Sequence, residues 1–314
     1  MDIVASNWGR NTQYERFRAR PLRLYFGDVN EDGNVQLVEA YQEPETQRWV
    51  PGQPLRNAVM ALPFLSQVWK THEAYAKASL DEIYGGKLST AAMVQANWLD
   101  STVFLNLGNR FTAKPLPVEA QTSPAFAVCV GDLDGDGHED LFLSQNFFGM
   151  PPEVPRCDAG RGLWLRGDGN GGFQAVDSLA SGIAVDGEQR GAGVCDFDHD
   201  GRLDLAVSQN GAQTKLYRNV QGKPGVRLRL KGPPGNPQGI GAAVRLLWGT
   251  KAGAQHELHA GSGYWSQDTL EPVLGGAAPT QVWVRWPGGK VVQVDLGPNE
   301  RVVEIGLQGK LRGK

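Results

Sequence analysis

The sequence predicts an all-β protein, and three observations carry this prediction. Its 314 residues include 41 Gly and 19 Pro, a content typical of folds with many turns. Short segments in which apolar and polar residues alternate recur along the chain, as at residues 226–230 and 281–286. A loop rich in Asp and Gly also recurs, followed each time by a short apolar segment, and such internal repeats are typical of folds built from stacked units.

The most informative stretch is residues 132–140, which read Asp-Leu-Asp-Gly-Asp-Gly-His-Glu-Asp. Carboxylates occupy positions 1, 3, 5 and 9, and a glycine occupies position 6. The pattern recurs 64 residues later at 196–204, which read Asp-Phe-Asp-His-Asp-Gly-Arg-Leu-Asp. Each loop leads into Asp-Leu-x-apolar-Ser-Gln-Asn, and the flanking segments favour strands, so each loop is predicted to join two strands of a hairpin.

This spacing predicts that both loops bind Ca²⁺. Alternating carboxylates on a tight loop converge on one point, where they repel one another unless a hard cation is bound. The alternative is a hairpin turn without metal, which does not explain an acid at every odd position except the seventh, where a backbone carbonyl usually serves. The predicted ligands are the side chains of Asp132, Asp134, Asp136, Asp140, Asp196, Asp198, Asp200 and Asp204, and the backbone carbonyls of His138 and Arg202.

A third copy of the loop lies at residues 28–36, with fewer acids. Asn30 stands at position 3 and Gln36 at position 9, which leaves two acids at ligand positions. Lower ligand charge weakens cation binding, so this loop is predicted to form a weak or empty site. Its candidate ligands are the side chains of Asp28, Asn30 and Asp32 and the backbone carbonyl of Asn34.

Composition and charge bound the function. The net charge of −3 gives no electrostatic argument for binding nucleic acid or an anionic membrane. No apolar run approaches the roughly 18 residues of a membrane span, and no signal-peptide core is present. The three cysteines, Cys129, Cys157 and Cys195, lack a metal or redox spacing and leave the compartment open.

The first residues match the strand that follows the loops. Residues 2–7 correspond to residues 140–146 with one residue fewer, so that Asp2 would be position 9 of a loop. We therefore expect this chain to be the C-terminal part of a longer protein.

Between the loops the pattern changes several times. Residues 14–19 and 21–26 read as strands, and residues 54–86 carry apolar residues at helical spacing. This helical insertion could cap the repeats, cover a sheet edge or gate a ligand. Residues 91–97 align with the strand that follows the loops, and residues 104–111 read as a hairpin of the same repeat.

The repeats and the C-terminal segment each resemble a known family. A cation loop within a β-hairpin resembles the FG-GAP or VCBS blade of integrin-α-like β-propellers. Residues 224–306 resemble the ASPIC/UnbV domain, on Gly239-Ile-Gly-Ala242, Tyr264-Trp-Ser-Gln267 and Val284-Arg-Trp-Pro-Gly288. One departure is Pro272-Val-Leu-Gly-Gly276, where that family usually has His-Phe-Gly-Leu-Gly. The combination is similar to the cartilage acidic protein-like family.

The resemblance implies a fold and a domain division. The expected architecture is a partial β-propeller over residues 1–222, with a small helical insertion at about 54–86. A compact C-terminal β domain follows at residues 223–308. The resemblance also implies calcium in the loops and an extracellular, periplasmic or cell-surface location, and it supplies no catalytic activity.

The predicted function is a calcium-binding, non-catalytic binding or adhesion module, whose protein or carbohydrate ligand lies on a propeller face. A polysaccharide-acting enzyme is one alternative, but the sequence has no nucleophile–base motif, and no catalytic residue or organic cofactor is predicted. A structural or biosynthetic accessory protein without its own ligand is the other alternative.

Overall fold

A computed structural model describes residues 1–15, 18–152 and 154–311. These residues form mostly antiparallel sheets, so the all-β prediction is confirmed. Their contacts divide the chain into two compact units, Met1–Asn11 with Asp100–Lys314, and Thr12–Leu99. This division does not coincide with the predicted boundary at residue 222, which stays a prediction.

The strands run, in chain order, over β1 (Ile3–Ala5), β2 (Leu22–Gly27), β3 (Gln36–Gln42), β4 (Trp49–Pro51), β5 (Ala92–Ala96), β6 (Thr102–Asn106), β7 (Phe111–Pro115), β8 (Ala125–Gly131), β9 (Asp140–Gln145), β10 (Leu163–Gly167), β11 (Phe173–Val176), β12 (Glu188–Cys195), β13 (Asp204–Asn210), β14 (Ala212–Tyr217), β15 (Val226–Lys231), β16 (Ala243–Trp248), β17 (Lys251–Ala252), β18 (His256–Glu257), β19 (Val273–Leu274), β20 (Gln281–Arg285), β21 (Val291–Asp295), β22 (Val302–Gly306) and β23 (Gly309–Lys310). The α-helices are α1 (Leu55–Ala61), α2 (Leu65–Val68), α3 (His72–Lys77), α4 (Leu80–Tyr84) and α5 (Ser178–Ser181), and 3-10 helices cover Gly85–Thr90 and Val118–Gln121.

Three antiparallel sheets make up the repeat part of the first unit. Their strand orders are β1-β6-β7, β11-β10-β9-β8 and β12-β13-β14. The acidic loops join neighbouring strands, since Gly131 pairs with Asp140 and Cys195 with Asp204. Alternate residues of β8 pack into the core between the second and third sheets, as the strand period requires. Both loops therefore lie at the same end of their sheets.

Asp2 occupies the place in the first sheet that the ninth loop residue occupies in the others. Its Oδ1 accepts a hydrogen bond of 2.7 Å from the N–H of Asn106. Asp140 accepts one of 2.8 Å from the N–H of Gly167, the last residue of β10. Asp204 accepts one of 2.8 Å from the N–H of Asn219, two residues after β14. The alignment of residues 2–7 with the repeat thus agrees with the pairing of β1.

The strand at residues 91–97 does not belong to the sheet that the sequence suggested. It forms β5, which pairs with β2 in the second unit, whereas the hairpin β6–β7 pairs with β1. Strand β1 is preceded by the acid that accepts the Asn106 N–H, whereas no acid stands at the equivalent place before β5. Residues 12–99 are thus an insertion between two strands of one sheet.

The second unit packs short helices on a sheet of order β4-β3-β2-β5. The helices lie between Leu55 and Tyr84, inside the predicted helical stretch, and bury Leu65 and Tyr75. Ser79 caps α4 in a capping box with Glu82. Of the strand expected at residues 14–19, residues 16 and 17 lie outside the described part, and the others form turns.

The C-terminal segment forms two further sheets around one core. Their orders are β19-β15-β22-β23 and β17-β16-β20-β21, with β18 also paired to β16. The core includes Val244, Val282 and Val284, which are fully buried. The alternating segments predicted as strands are β15, β16, β20 and β21. Strand β22, which pairs in parallel with β15, was missed because its partner lies far away in sequence.

Two further findings concern the membrane and the cysteines. Among the described helices, none combines the length and apolar character needed to cross a membrane. All three cysteines are unpaired thiols, and Cys129 and Cys157 are buried.

The contribution of Asn146 to stability can be tested, because this residue lies just after β9 and bonds several neighbouring segments. This buried residue has a φ of 85°. Its side-chain oxygen accepts hydrogen bonds from the Ser123 hydroxyl and the Gly160 N–H, and its NH₂ group donates to the carbonyls of Gly160 and Gly187. We expect Asn146→Ala to lower the free energy of unfolding by about 2–4 kcal/mol, because several buried partners lose their hydrogen bonds. The matched variant Asn210→Ala removes a side-chain hydrogen bond to Glu188 at an exposed residue, and it should lower the free energy of unfolding less than half as much in urea denaturation. Equal losses would contradict this assignment.

Candidate metal centres

The first loop gathers three carboxylates. Single oxygens of Asp132, Asp134 and Asp136 lie within 4.8 Å of one another. The loop holds this shape with its own backbone, since the N–H groups of Gly135 and Gly137 each donate a 2.7 Å hydrogen bond to Asp132. Both glycines have positive φ, which lets the chain wrap around a point in front of the carboxylates.

Asp140 plays a different part in that loop. It is fully buried, and its two oxygens accept hydrogen bonds from the N–H of Leu133 (3.1 Å) and of Gly167 (2.8 Å). The carboxylate thereby ties the loop to the third strand of its sheet. It is not part of the close cluster of oxygens formed by Asp132, Asp134 and Asp136.

The second loop gathers a slightly different trio. Oxygens of Asp196, Asp198 and Asp204 lie within 4.8 Å of one another. Asp204 also accepts the N–H of Phe197 at 2.9 Å, which repeats the bond that Asp140 makes in the first loop. The fourth acid, Asp200, instead pairs at 2.6 Å with Arg202.

Each loop holds a buried acid whose charged form is poorly stabilised. Burial raises the pKa of Asp132 to about 6, against the opposing effect of the backbone N–H groups that it accepts. Burial raises the pKa of Asp140 to about 7 in the same way. In the second loop, Oδ1 of Asp196 is buried and has no hydrogen-bond partner among the described residues. A hard cation would supply the missing charge and the missing partner.

An arginine approaches each loop from the equivalent position of its sheet. Arg166, near the end of β10, lies 2.6 Å from Asp134 and 3.0 Å from Asp136. Arg218, just after β14, pairs with Asp198 and lies 3.6 Å from Asp200. Both arginines precede the residue whose N–H bonds the ninth loop acid. They are half-exposed counter-ions to positions 3 and 5.

The C-terminal segment covers both loops. The N–H of Lys223 donates to the carbonyl of Asp134 at 2.9 Å, and the buried Arg227 of β15 lies 3.4 Å from Asp196. Gly275 packs directly against the first loop, where an added Cβ would lie 1.9 Å from Oδ2 of Asp132. The departure from the family pattern at residues 272–276 thus falls on the segment that touches the first loop.

The third loop fills its own centre with an amide. Gln36 accepts the N–H of Val29 at 2.8 Å, as the ninth acid does in the other loops. Its NH₂ group donates to the side-chain oxygens of Asn30 (2.8 Å) and Asp32 (3.2 Å), which are two of the predicted ligands. Asp28 accepts the N–H groups of Asp32 and Gly33. A donor of the loop itself therefore bonds two of the oxygens that were predicted to face a cation.

The structure brings most of the predicted side-chain ligands together. Asp140 and Asp200 lie outside the two groups of clustered oxygens. Their roles as ligands, and those of the backbone carbonyls of His138, Arg202 and Asn34, stay predictions. Sequence reasoning missed Arg166, Arg218 and Arg227. The available signal for the first two was an arginine at the end of the third strand in both repeats.

Removing Arg166 tests its role as a counter-ion. We expect Arg166→Ala to raise the calcium affinity of the first loop about two- to fivefold, because a cation then no longer competes with the guanidinium. Isothermal titration with CaCl₂ measures this change. Arg161→Ala is the matched control, since Arg161 is an exposed arginine paired with Asp186 outside the loops. Unchanged or weaker binding in Arg166→Ala would show that the arginine does not compete.

Gln36 can be tested by converting its amide to an acid. We expect Gln36→Glu to lower the free energy of unfolding in EDTA by about 1–2 kcal/mol, because two donated hydrogen bonds become repulsions. Calcium should restore the loss, since the loop would then carry a third acid. Thermal unfolding with and without calcium measures both effects, with Gln95→Glu on β5 as the control. A loss that calcium does not restore would argue against a latent cation site.

Comparison with known proteins supports the recognition made from the sequence. Residues 232–310 match the family model described as ASPIC and UnbV. Cartilage acidic protein 1 from Homo sapiens is 30% identical over 211 residues, which cover 62% of this chain and 30% of the relative. The Mus musculus protein is also 30% identical over 211 residues, covering 62% and 31%, and the Xenopus tropicalis protein is 29% identical over 189 residues, covering 57% and 28%.

The match therefore spans about a third of the length of these relatives. The chain carries an ASPIC and UnbV domain in its C-terminal part and is a homologue of cartilage acidic protein 1.

Proposed function

We propose that this chain is a calcium-stabilised, non-catalytic binding module. The observation that carries the proposal is that two loops of one repeat each gather three carboxylate oxygens within 4.8 Å. Close packing of like charges is unfavourable, and a bound divalent cation is the simplest way to make it favourable.

The donor atoms favour calcium over other metals. The clustered groups are all carboxylates, and oxygen-only sets suit hard cations, whereas zinc and copper favour histidine and cysteine. The loops also offer backbone carbonyls and glycine-rich curvature, which suit the higher coordination number of calcium.

The bound cations would stabilise the contacts between the repeat sheets and the C-terminal segment of the first unit. Each loop joins two strands of a sheet and also contacts the segment that leads into the C-terminal domain, through Lys223 and Gly225. A site with free calcium at tenfold its dissociation constant stabilises the folded state by about 1.4 kcal/mol. Calcium would thus hold the repeat sheets and the C-terminal domain in one fixed arrangement, as a binding surface requires.

We place the module outside the cytoplasm, in an extracellular, periplasmic or cell-surface compartment. Calcium sites of the extracellular class have dissociation constants of about 10⁻⁴–10⁻³ M, so they fill at millimolar calcium. Relatives that are named for cartilage are consistent with this location. The ligand in this proposal is a protein or a carbohydrate.

The loop acids test the proposal directly. Asp134→Asn and Asp198→Asn should each lower the melting temperature by about 3–6 °C in calcium, because each removes one ligand charge. In EDTA the same variants should melt with the wild type or slightly above it. Asp186→Asn is the matched control, because it also breaks an arginine pair but lies outside the loops. Equal losses in calcium and in EDTA would mean that the acids serve the turn and not a metal.

A further inference from the structure

The C-terminal domain presents two aromatic side chains on a tight turn. Gly263 pairs with Ser266, and the residues between them are Tyr264 and Trp265. Trp265 has a φ of 51°, a conformation that favours glycine, and it is 92% exposed. Backbone strain and an exposed indole are both unfavourable, and such features concentrate at functional sites.

The turn is held firmly at its base. The N–H of Asp268 donates to the hydroxyl of Ser262 at 2.6 Å. Asp268 and Thr269 then bond both backbone groups of Val194 on β12, each at 2.9 Å. The two aromatic side chains therefore project from a fixed support, which lowers the entropic cost of binding a ligand there.

Tyr264 continues an aromatic row across the repeat sheets. The row consists of Trp8, Phe147, Phe126 and Tyr264, with successive ring centroids 5.5, 6.2 and 5.4 Å apart. All four rings are partly exposed. Phe126 lies at the start of β8 and Phe147 just after β9, so the row lies at the end of the sheets opposite the acidic loops.

Arg190 lies among these rings, and Arg156 lies beside Phe148, the residue that follows Phe147 in the chain. The guanidinium of Arg190 lies 4.0 Å from the centre of the Phe126 ring and is held by Glu188 at 2.6 Å. The guanidinium of Arg156 lies 5.0 Å from the centre of the Phe148 ring. Arg156 is exposed, and no described carboxylate lies within ion-pair distance of it. The row thus carries one compensated charge, and the segment next to it carries an exposed arginine with no ion pair among the described residues.

We propose that the aromatic row and Trp265 bind an oligosaccharide that contains uronic acids. Sugar rings have an apolar C–H face that packs on an aromatic ring, and their hydroxyls pair with fixed planar groups such as the Arg190–Glu188 pair. Arg156 supplies the cation for a uronate carboxylate. This inference rests on the proposed function, because it names the ligand class of that binding module.

A carbohydrate fits this surface better than a protein does. A stable protein interface buries about 800 Å² per partner around an apolar centre. Here only Trp265 is almost fully exposed, and the other rings are partly buried and interleaved with charged groups. Each sugar needs only one ring face and a few polar partners. Trp265 offers the exposed ring face, and the Arg190–Glu188 pair and Arg156 offer the polar groups.

The experiment uses the whole chain in millimolar calcium, titrated with trigalacturonate, with a hyaluronan tetrasaccharide and with their methyl esters. Trp265→Ala should weaken binding to the preferred acid at least about tenfold, because it removes the most exposed stacking face. Arg156→Gln should weaken binding of the free acid about tenfold and leave the methyl ester unchanged. Leu179→Ala, which also truncates an exposed apolar side chain, should bind as the wild type does.

The outcomes separate this inference from the proposed function. The calcium-induced rise in melting temperature should persist in Trp265→Ala, since the row and the loops lie at opposite ends of the sheets. If that rise is present but no uronate binds, or if binding survives Trp265→Ala, the inference is overturned while the proposed function stands. If uronate binding requires Trp265 but calcium has no effect on stability, the metal role fails instead. Equal affinity for the acids and the methyl esters would overturn the role of Arg156 in binding the carboxylate. Capture of a protein partner through Trp265, without any uronate binding, would overturn the choice of a carbohydrate as the ligand.

Discussion

Repulsion among clustered carboxylates on short β-hairpins is the constraint on which the first unit depends. The two acidic loops lie where the repeat sheets meet the C-terminal segment, so their shape fixes more than a turn. Buried acids with a raised pKa, such as Asp132 and Asp140, show that the fold places charge where water cannot fully solvate it. The surrounding structure must compensate that charge.

The three loops show a series of compensations for one backbone design. In the third loop the amide of Gln36 donates to oxygens that would otherwise face a cation. In the first loop Arg166 pairs with two acids from outside, and in the second loop three arginines approach, while one oxygen of Asp196 still has no partner. The ninth residue keeps the same hydrogen bond to the second residue in all three. The three loops therefore share one hairpin shape, and they differ in the charge at the centre of the loop.

The two ends of the repeat sheets carry different kinds of side chain. Acidic loops close one end of the second and third sheets and contact the C-terminal segment. Aromatic side chains collect at the other end, where Asn146 closes the strand with several hydrogen bonds and Tyr264 of the C-terminal domain joins the row. The C-terminal domain thus touches both ends, which explains why its contacts place it in the same compact unit as the repeat.

The sequence alone determined the all-β class and the hairpin position of the acidic loops. These features are encoded by residues that are contiguous, so that spacing and glycine placement suffice to predict them. The tertiary structure decided the rest. Arg166 and Arg227 reach their loops from segments that are distant in the chain. Strand β5 pairs with β2, whereas β1 pairs with β6. The aromatic row draws its members from four separate segments. Such meetings depend on how strands pair and sheets pack, and no local pattern in the sequence specifies them.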